Sequence, residues 1–150
     1  MKEQLVTYKV ALLAKEKGFD WKCLDTFDNK KRATNRYNID VDGLNDFVEK
    51  EDALMLKDLM ELSNSEISDD FVARPTQALL QKWLREEFDI ITGTYANASG
   101  YCWEIHKTPK FGGSHIKDSD FSGPNDSGNW NSYEEALEEG LNDALKLIVK

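Results

Sequence analysis

Apolar residues recur at helical spacing in four parts of the 150-residue chain. Leu5, Val6, Val10 and Leu13 predict a helix over 3–17, with Gly18 at a left-handed stop and Phe19 placed to fold back on the last turn. EKEDALMLKDLMEL carries Leu56, Leu59 and Met60 on one side and predicts a second helix. In PTQALLQKWLREEF, Leu79, Leu80, Trp83, Leu84 and Phe88 form one stripe, and Pro75 suits a first turn that needs no N–H. YEEALEEGLNDALKLI repeats the pattern with Tyr133, Leu137, Leu141, Ala144, Leu145 and Ile148, behind a Ser132–Glu135 capping box.

Elsewhere the period is two. IITGTY and YCWEIHK alternate apolar and polar residues across the turn-forming ANASG, which predicts an antiparallel hairpin with Tyr101, Trp103 and Ile105 on one face. A third short strand is expected near 115–121, and WKCLDTF gives a weaker strand signal before the turn-like DNKKR. The connection 108–131 is rich in Gly, Ser, Asn and Pro and reads as a mobile surface loop. The expected fold class is α+β. Two helices pack on one face of a small antiparallel sheet, as a helix–hairpin or three strands–helix core over 71–150. An N-terminal helix and an acidic insertion-like segment at 38–70 complete a single domain over 1–150.

Charge changes the picture mainly through its distribution. The chain carries a net −9, yet residues 1–37 are +4, residues 38–70 are −9 and residues 71–150 are −4. The concentrated acid repels phosphate backbones and attracts basic surfaces or multivalent cations, so direct nucleic-acid binding is not expected. Apolar residues make up 40% of the chain, enough for a buried core. No run reaches the roughly 20 apolar residues of a bilayer span, and the N-terminal stretch mixes Lys and Glu through its apolar positions, against a membrane span or a secretory signal. Cys23 and Cys102 are too few for a disulfide framework and read as reduced cytosolic thiols.

Three groups of residues could carry chemistry. NIDVDGLNDFVE places Asn38, Asp40, Asp42 and Glu49 at calcium-loop spacing around Gly43. Against that, DNKKRATNRY in front has no apolar stripe for an entering helix, Asn replaces the customary first Asp, and no second loop follows. A turn and an acidic helix N-terminus explain the same residues. His106, His115, Asp118 and Asp120 form the second group, a candidate transition-metal or acid–base site whose spacing matches no established ligand pattern. Asp40, Asp42, Asp46, Glu49, Glu51 and Asp52 form the third, a candidate acidic surface for a protein partner. No nucleophile elbow, phosphate-binding glycine loop or Cys–His signature is present, no cofactor is expected, and Cys102 reads as a packed thiol. The helix–strands–helix order is shared with double-stranded-RNA-binding domains, but where those place lysines at the start of the last helix this chain has SYEEALEE. The aromatic stripes through Trp83, Phe88, Tyr101 and Trp103 follow the apolar periods of their neighbours and read as core.

PTQALLQKWLREEFDI, the strand bearing YCWEI and YEEALEEGLNDALKLI together resemble a family of small proteins of unknown function encoded in prophages and mobile elements of gut Bacteroidales. AKEKGF and SEISDDFVARPTQ are similar to the same family, so the likeness covers 8–28 and 66–150 and leaves 38–62 as an insertion. The resemblance implies a phage or mobile-element protein of the bacterial cytoplasm and brings no catalytic residue with it. The expected function is therefore binding of a host or phage protein, with homo-oligomerisation open. An acidic nucleic-acid mimic that occupies a host defence protein, or a metal-dependent hydrolase, are the alternatives.

Overall fold

The computed structural model describes residues 3–28, 30–35, 61–109, 113–119, 123–125 and 128–149. In chain order these form α1 (Tyr8–Glu16), β1 (Asp25–Phe27), β2 (Ala33–Asn35), β3 (Val72–Arg74), α2 (Gln77–Phe88), β4 (Ile90–Asn97), β5 (Gly100–Lys107), β6 (His115–Asp118) and α3 (Tyr133–Lys146). The architecture is α+β, with two antiparallel sheets in the orders β2-β1-β3 and β4-β5-β6. The helix expected from EKEDALMLKDLMEL lies almost wholly outside the described residues.

The β4-β5-β6 sheet is the centre of the C-terminal half. β4 and β5 pair residue for residue from Ile90↔Lys107 to Asn97↔Gly100, and β5 continues to β6. α2 and α3 cover one face of this sheet, the arrangement expected from the sequence. Their buried sides, Leu80, Trp83 and Leu84 from α2 and Ala136, Leu137, Leu141, Ala144 and Leu145 from α3, meet Ile90, Trp103 and Ile105 from the strands. α3 lies so close to the sheet that a Cβ on Gly140 would come within 2.9 Å of the Trp103 Cβ and 3.1 Å of the Thr92 Cγ2. Tyr133 departs from its expected place in the stripe: it is 43% exposed and meets the Tyr101 ring in an edge-to-face contact with centroids 6.5 Å apart. It occupies the first position of α3, where the chain has not yet reached the core.

Caps set the helix ends. Thr76 Oγ1 accepts from the Leu79 N–H at 3.1 Å and Ser132 Oγ from the Glu135 N–H at 3.2 Å, each satisfying a donor that the first turn leaves open. Pro75 therefore precedes the cap of α2 and is not in its first turn. α1 likewise begins later than the apolar spacing predicts, because Thr7 caps it and residues 4–6 are spent on extended contacts. Gln77 N–H donates to Gln4 O at 2.8 Å, Val6 N–H donates to Pro75 O at 3.1 Å, and the Arg74 Nε–H donates to Val6 O at 2.8 Å. The expected stop of α1 is present: Gly18 adopts φ +94°, and Phe19 donates its N–H back to Ala14 O at 2.9 Å while its ring is buried.

The β2-β1-β3 sheet was only half visible in the sequence, as WKCLDTF. Its β1–β2 turn is shaped by the Asp28 carboxylate, whose Oδ1 accepts from the N–H groups of Lys30 at 2.9 Å and Arg32 at 2.8 Å. The segment read as a mobile loop over 108–131 contains β6, and it ends on a second pairing, in which Tyr101 and Trp130 exchange backbone hydrogen bonds of 2.9 and 3.0 Å. Trp130 is buried by this contact. Gly100 permits it: at φ +136° it has no Cβ, which would stand 2.6 Å from Trp130 O.

Candidate functional site

Side chains alternate across a strand, so the residues between those that face α2 and α3 must face the other way. On β5 these are Cys102, Glu104 and His106, and the register sets Tyr95, Gly93 and Ile91 of β4 opposite them. On β6, Asp118 lies opposite Glu104 and His115 opposite His106. His115 and Asp118 are three residues apart and would ordinarily point to opposite faces. The register shift between Ile105 and His106 supplies the extra step that turns both to this outer face.

Two imidazole–carboxylate pairs result. His106 Nε2 stands 3.2 Å from Glu104 Oε1, and His115 Nε2 stands 3.7 Å from Asp118 Oδ2. The two rings meet edge to face with centroids 5.1 Å apart. Glu104 and Asp118 are themselves cross-strand partners, an unfavourable pairing of like charges. Lys117 turns to the helix side instead, where its Nζ donates to Asp143 Oδ1 at 3.2 Å and lies over the Trp103 ring.

Beside the imidazoles lies a thiol–phenol group. Cys102 is buried, and its Sγ–H donates to Asn129 Oδ1 at 3.0 Å, while Asn129 Nδ2 donates to Asn97 Oδ1 at 3.0 Å. Tyr95 sits at the rim of this group, 42% exposed. Burial of its hydroxyl raises the phenol above its ordinary value, and the Cys102 thiol, Asp118 and Glu104 push in the same direction. The packed-thiol reading of Cys102 agrees with this placement.

The sequence-derived candidates thus divide. His106, His115 and Asp118 come together on one sheet face, while Asp120 lies outside the described residues. Asn38, Asp40, Asp42, Asp46, Glu49, Glu51 and Asp52, which make up the calcium-like loop and the acidic surface, also lie outside them. Among the described residues no three His, Cys, Asp or Glu side chains converge closely enough to hold a metal. Tyr95 and Asn129 were not singled out from sequence. Tyr95 was legible in the alternation of IITGTY, which puts Ile91, Gly93 and Tyr95 on the face away from Thr92 and Thr94, whereas Asn129 reaches Cys102 from a loop that carries no period.

The fold and this face define a small α+β domain whose larger sheet is covered by helices on one side and carries a mixed polar and aromatic surface on the other. No family model, curated protein or solved structure matches the chain. No helix among the described residues is long and apolar enough to cross a membrane.

Proposed function

We propose that this chain is a non-enzymatic accessory protein of a phage or mobile element that acts in the bacterial cytoplasm by binding another protein, encoded by the host or by the phage. The observation that carries the reading is the outer face of β4-β5-β6. Its aromatic member is not absorbed into the core: Tyr95 is 42% exposed, beside the half-exposed carboxylates of Glu104 and Asp118, and Ile116 on the neighbouring strand β6 is 36% exposed. Exposed aromatic residues among polar groups are the composition of an interface anchor, because a large side chain gains contact area with little loss of rotamer freedom. The aromatic stripes of Trp83 and Trp103, by contrast, are consumed by the core. The acidic segment 38–70 would add long-range attraction for a basic partner.

Capture from host extract tests this, using the immobilised protein, a Tyr95→Ala/Ile116→Ser variant and a deletion of residues 38–62. The expected result is a defined partner whose retention falls at least about tenfold in the face variant, the scale of one lost hot spot. Deletion of 38–62 should weaken capture at low salt more than at high salt. Capture no greater than on a charge-matched control, or indifferent to the face variant, rejects the reading.

A further inference from the structure

The chain has two histidines in 150 residues, nine positions apart, and the fold makes them direct cross-strand partners. We propose that His106 and His115 form a two-imidazole site for a divalent transition metal, with Zn2+ the ion its geometry fits, on the outer face of the β4-β5-β6 sheet. This site goes beyond the protein-binding reading and does not rest on it.

The first argument is metric. A tetrahedral ion bonded to one nitrogen of each of two imidazoles at about 2.0–2.1 Å places the ring centroids about 5 Å apart, whereas a square-planar ion with adjacent rings brings them to about 4.5 Å. The observed separation is 5.1 Å, with the ring planes at 72°, which matches the tetrahedral spacing. The second argument is the surroundings of each ring. A metal-bound histidine commonly gives its other ring N–H to a carboxylate, which fixes the tautomer and makes the ligating nitrogen more basic. Here His106 Nε2 has Glu104 at hydrogen-bond distance, 3.2 Å, while Asp118 stands 3.7 Å from His115 Nε2, a charge close to the ring but too far for a hydrogen bond. That leaves the Nδ1 lone pair of His106 for the ion, with His115 as the second ligand. The third argument is access and charge. The His106 and His115 side chains are 29% and 52% exposed, so an ion arrives from solvent and water completes its coordination. The two carboxylates in register supply the negative charge that a divalent cation offsets.

The test is Zn2+ titration of the full chain, followed through the imidazole NMR resonances and by calorimetry. Because the chain has two histidines, every imidazole signal belongs to this site. One equivalent of Zn2+ should shift both rings together along a single saturation curve. His106→Ala or His115→Ala should each weaken binding at least about tenfold, and Glu104→Gln by about 10- to 100-fold, the usual effect of losing a carboxylate behind a metal-bound imidazole. Amide spectra of the variants report whether the sheet is intact, and the titration of the unmodified protein stands without them. Rings that saturate independently, a single variant that leaves the other ring's affinity unchanged, or a double histidine variant that binds Zn2+ as tightly as the parent chain each overturns the site. So does the absence of a saturable shift.

Discussion

The two sheets of this protein have the same number of strands and the same antiparallel pairing, yet they are held together differently. The β4-β5-β6 sheet is packed: α2 and α3 cover it, and Trp83 is wedged edge-on between Phe19 at 5.3 Å and Phe88 at 5.0 Å. The β2-β1-β3 sheet has strands of three residues each: it buries Phe27, Val72 and Ala73 on the side of α1, and polar side chains that bond the backbone around it add to that packing. Asn64 joins Phe19 O and Ala73 N–H with two 2.8 Å bonds, and Asp20 accepts from the Ser65 N–H and hydroxyl at 2.7 Å. Long strands with an apolar face can be stabilised by burial. Strands of three residues each bury less surface, so directed hydrogen bonds make up a larger share of what holds them.

Substitutions can break this contrast on either side. Trp83→Ala should have the largest effect, about 3–5 kcal/mol by denaturant unfolding, because it leaves a cavity where the ring of a buried tryptophan stood. Near-parental stability would mean that the stripe of α2 is not core. Asn64→Ala should cost about 1–3 kcal/mol by removing the partner of two backbone groups at once, with hydrogen exchange quickening at Ala73 first. Gly140→Ala should cost about 1–2 kcal/mol. The added methyl crowds Trp103, and that overpacking exceeds the roughly 1 kcal/mol gained by replacing a helical glycine. A stabilised Gly140→Ala variant would show that α3 can lift from the sheet freely.

Acid should sharpen the comparison further, at a smaller scale. The Ser65 hydroxyl holds the Asp20 carboxyl below its ordinary range, and backbone N–H groups do the same for Asp28, chiefly from Arg32, and for Glu66, chiefly from Ser63. A carboxyl lowered in the folded state stabilises the fold above its unfolded value, and that contribution is lost as the pH falls through the folded one. Below about pH 4 the melting temperature should therefore drop more steeply in the parent chain than in an Asp20→Asn/Asp28→Asn variant. Parallel profiles would remove these carboxylates from the account. The smallest signal concerns Cys23, which burial, reinforced by Glu61 and Asp25, pushes up to about 12. At pH 8 its alkylation should be far slower than in the urea-unfolded chain and should track opening of the fold; prompt modification would contradict its burial.

The same contrast explains what could be read from the sequence. Apolar periods identified α2, α3 and the β4–β5 hairpin because each element buries a stripe that must repeat with its own geometry. They also placed His106 and Glu104 on one face. The pairing of His115 with His106 depended on a one-residue register shift, which leaves no mark on the period. β3 was missed because VAR is too short to alternate and its partner β1 lies about 45 residues away, a separation no local pattern encodes. The true start of α1 was missed for a related reason. Leu5 and Val6 match the helical spacing, but Val6 is buried through contacts with the segment before α2.

The anchoring of residues 4–7 constrains the order in which the molecule can be assembled. Besides the bonds to Pro75, Arg74 and Gln77, the Thr7 N–H at the head of α1 donates to Glu138 Oε1 at 2.6 Å, and Lys17 Nζ past its end donates to Ile148 O at 2.7 Å. Both contacts span 131 residues. On the ribosome α1 emerges early but finds these partners only after α3 has left the exit tunnel, which at about 5–20 residues per second is a wait of roughly 7 to 26 seconds. During that interval α1 lacks the α3 part of its final surroundings. Docking α1 is thus a closing step in biosynthesis, dependent on contacts 131 residues apart and slow for that reason.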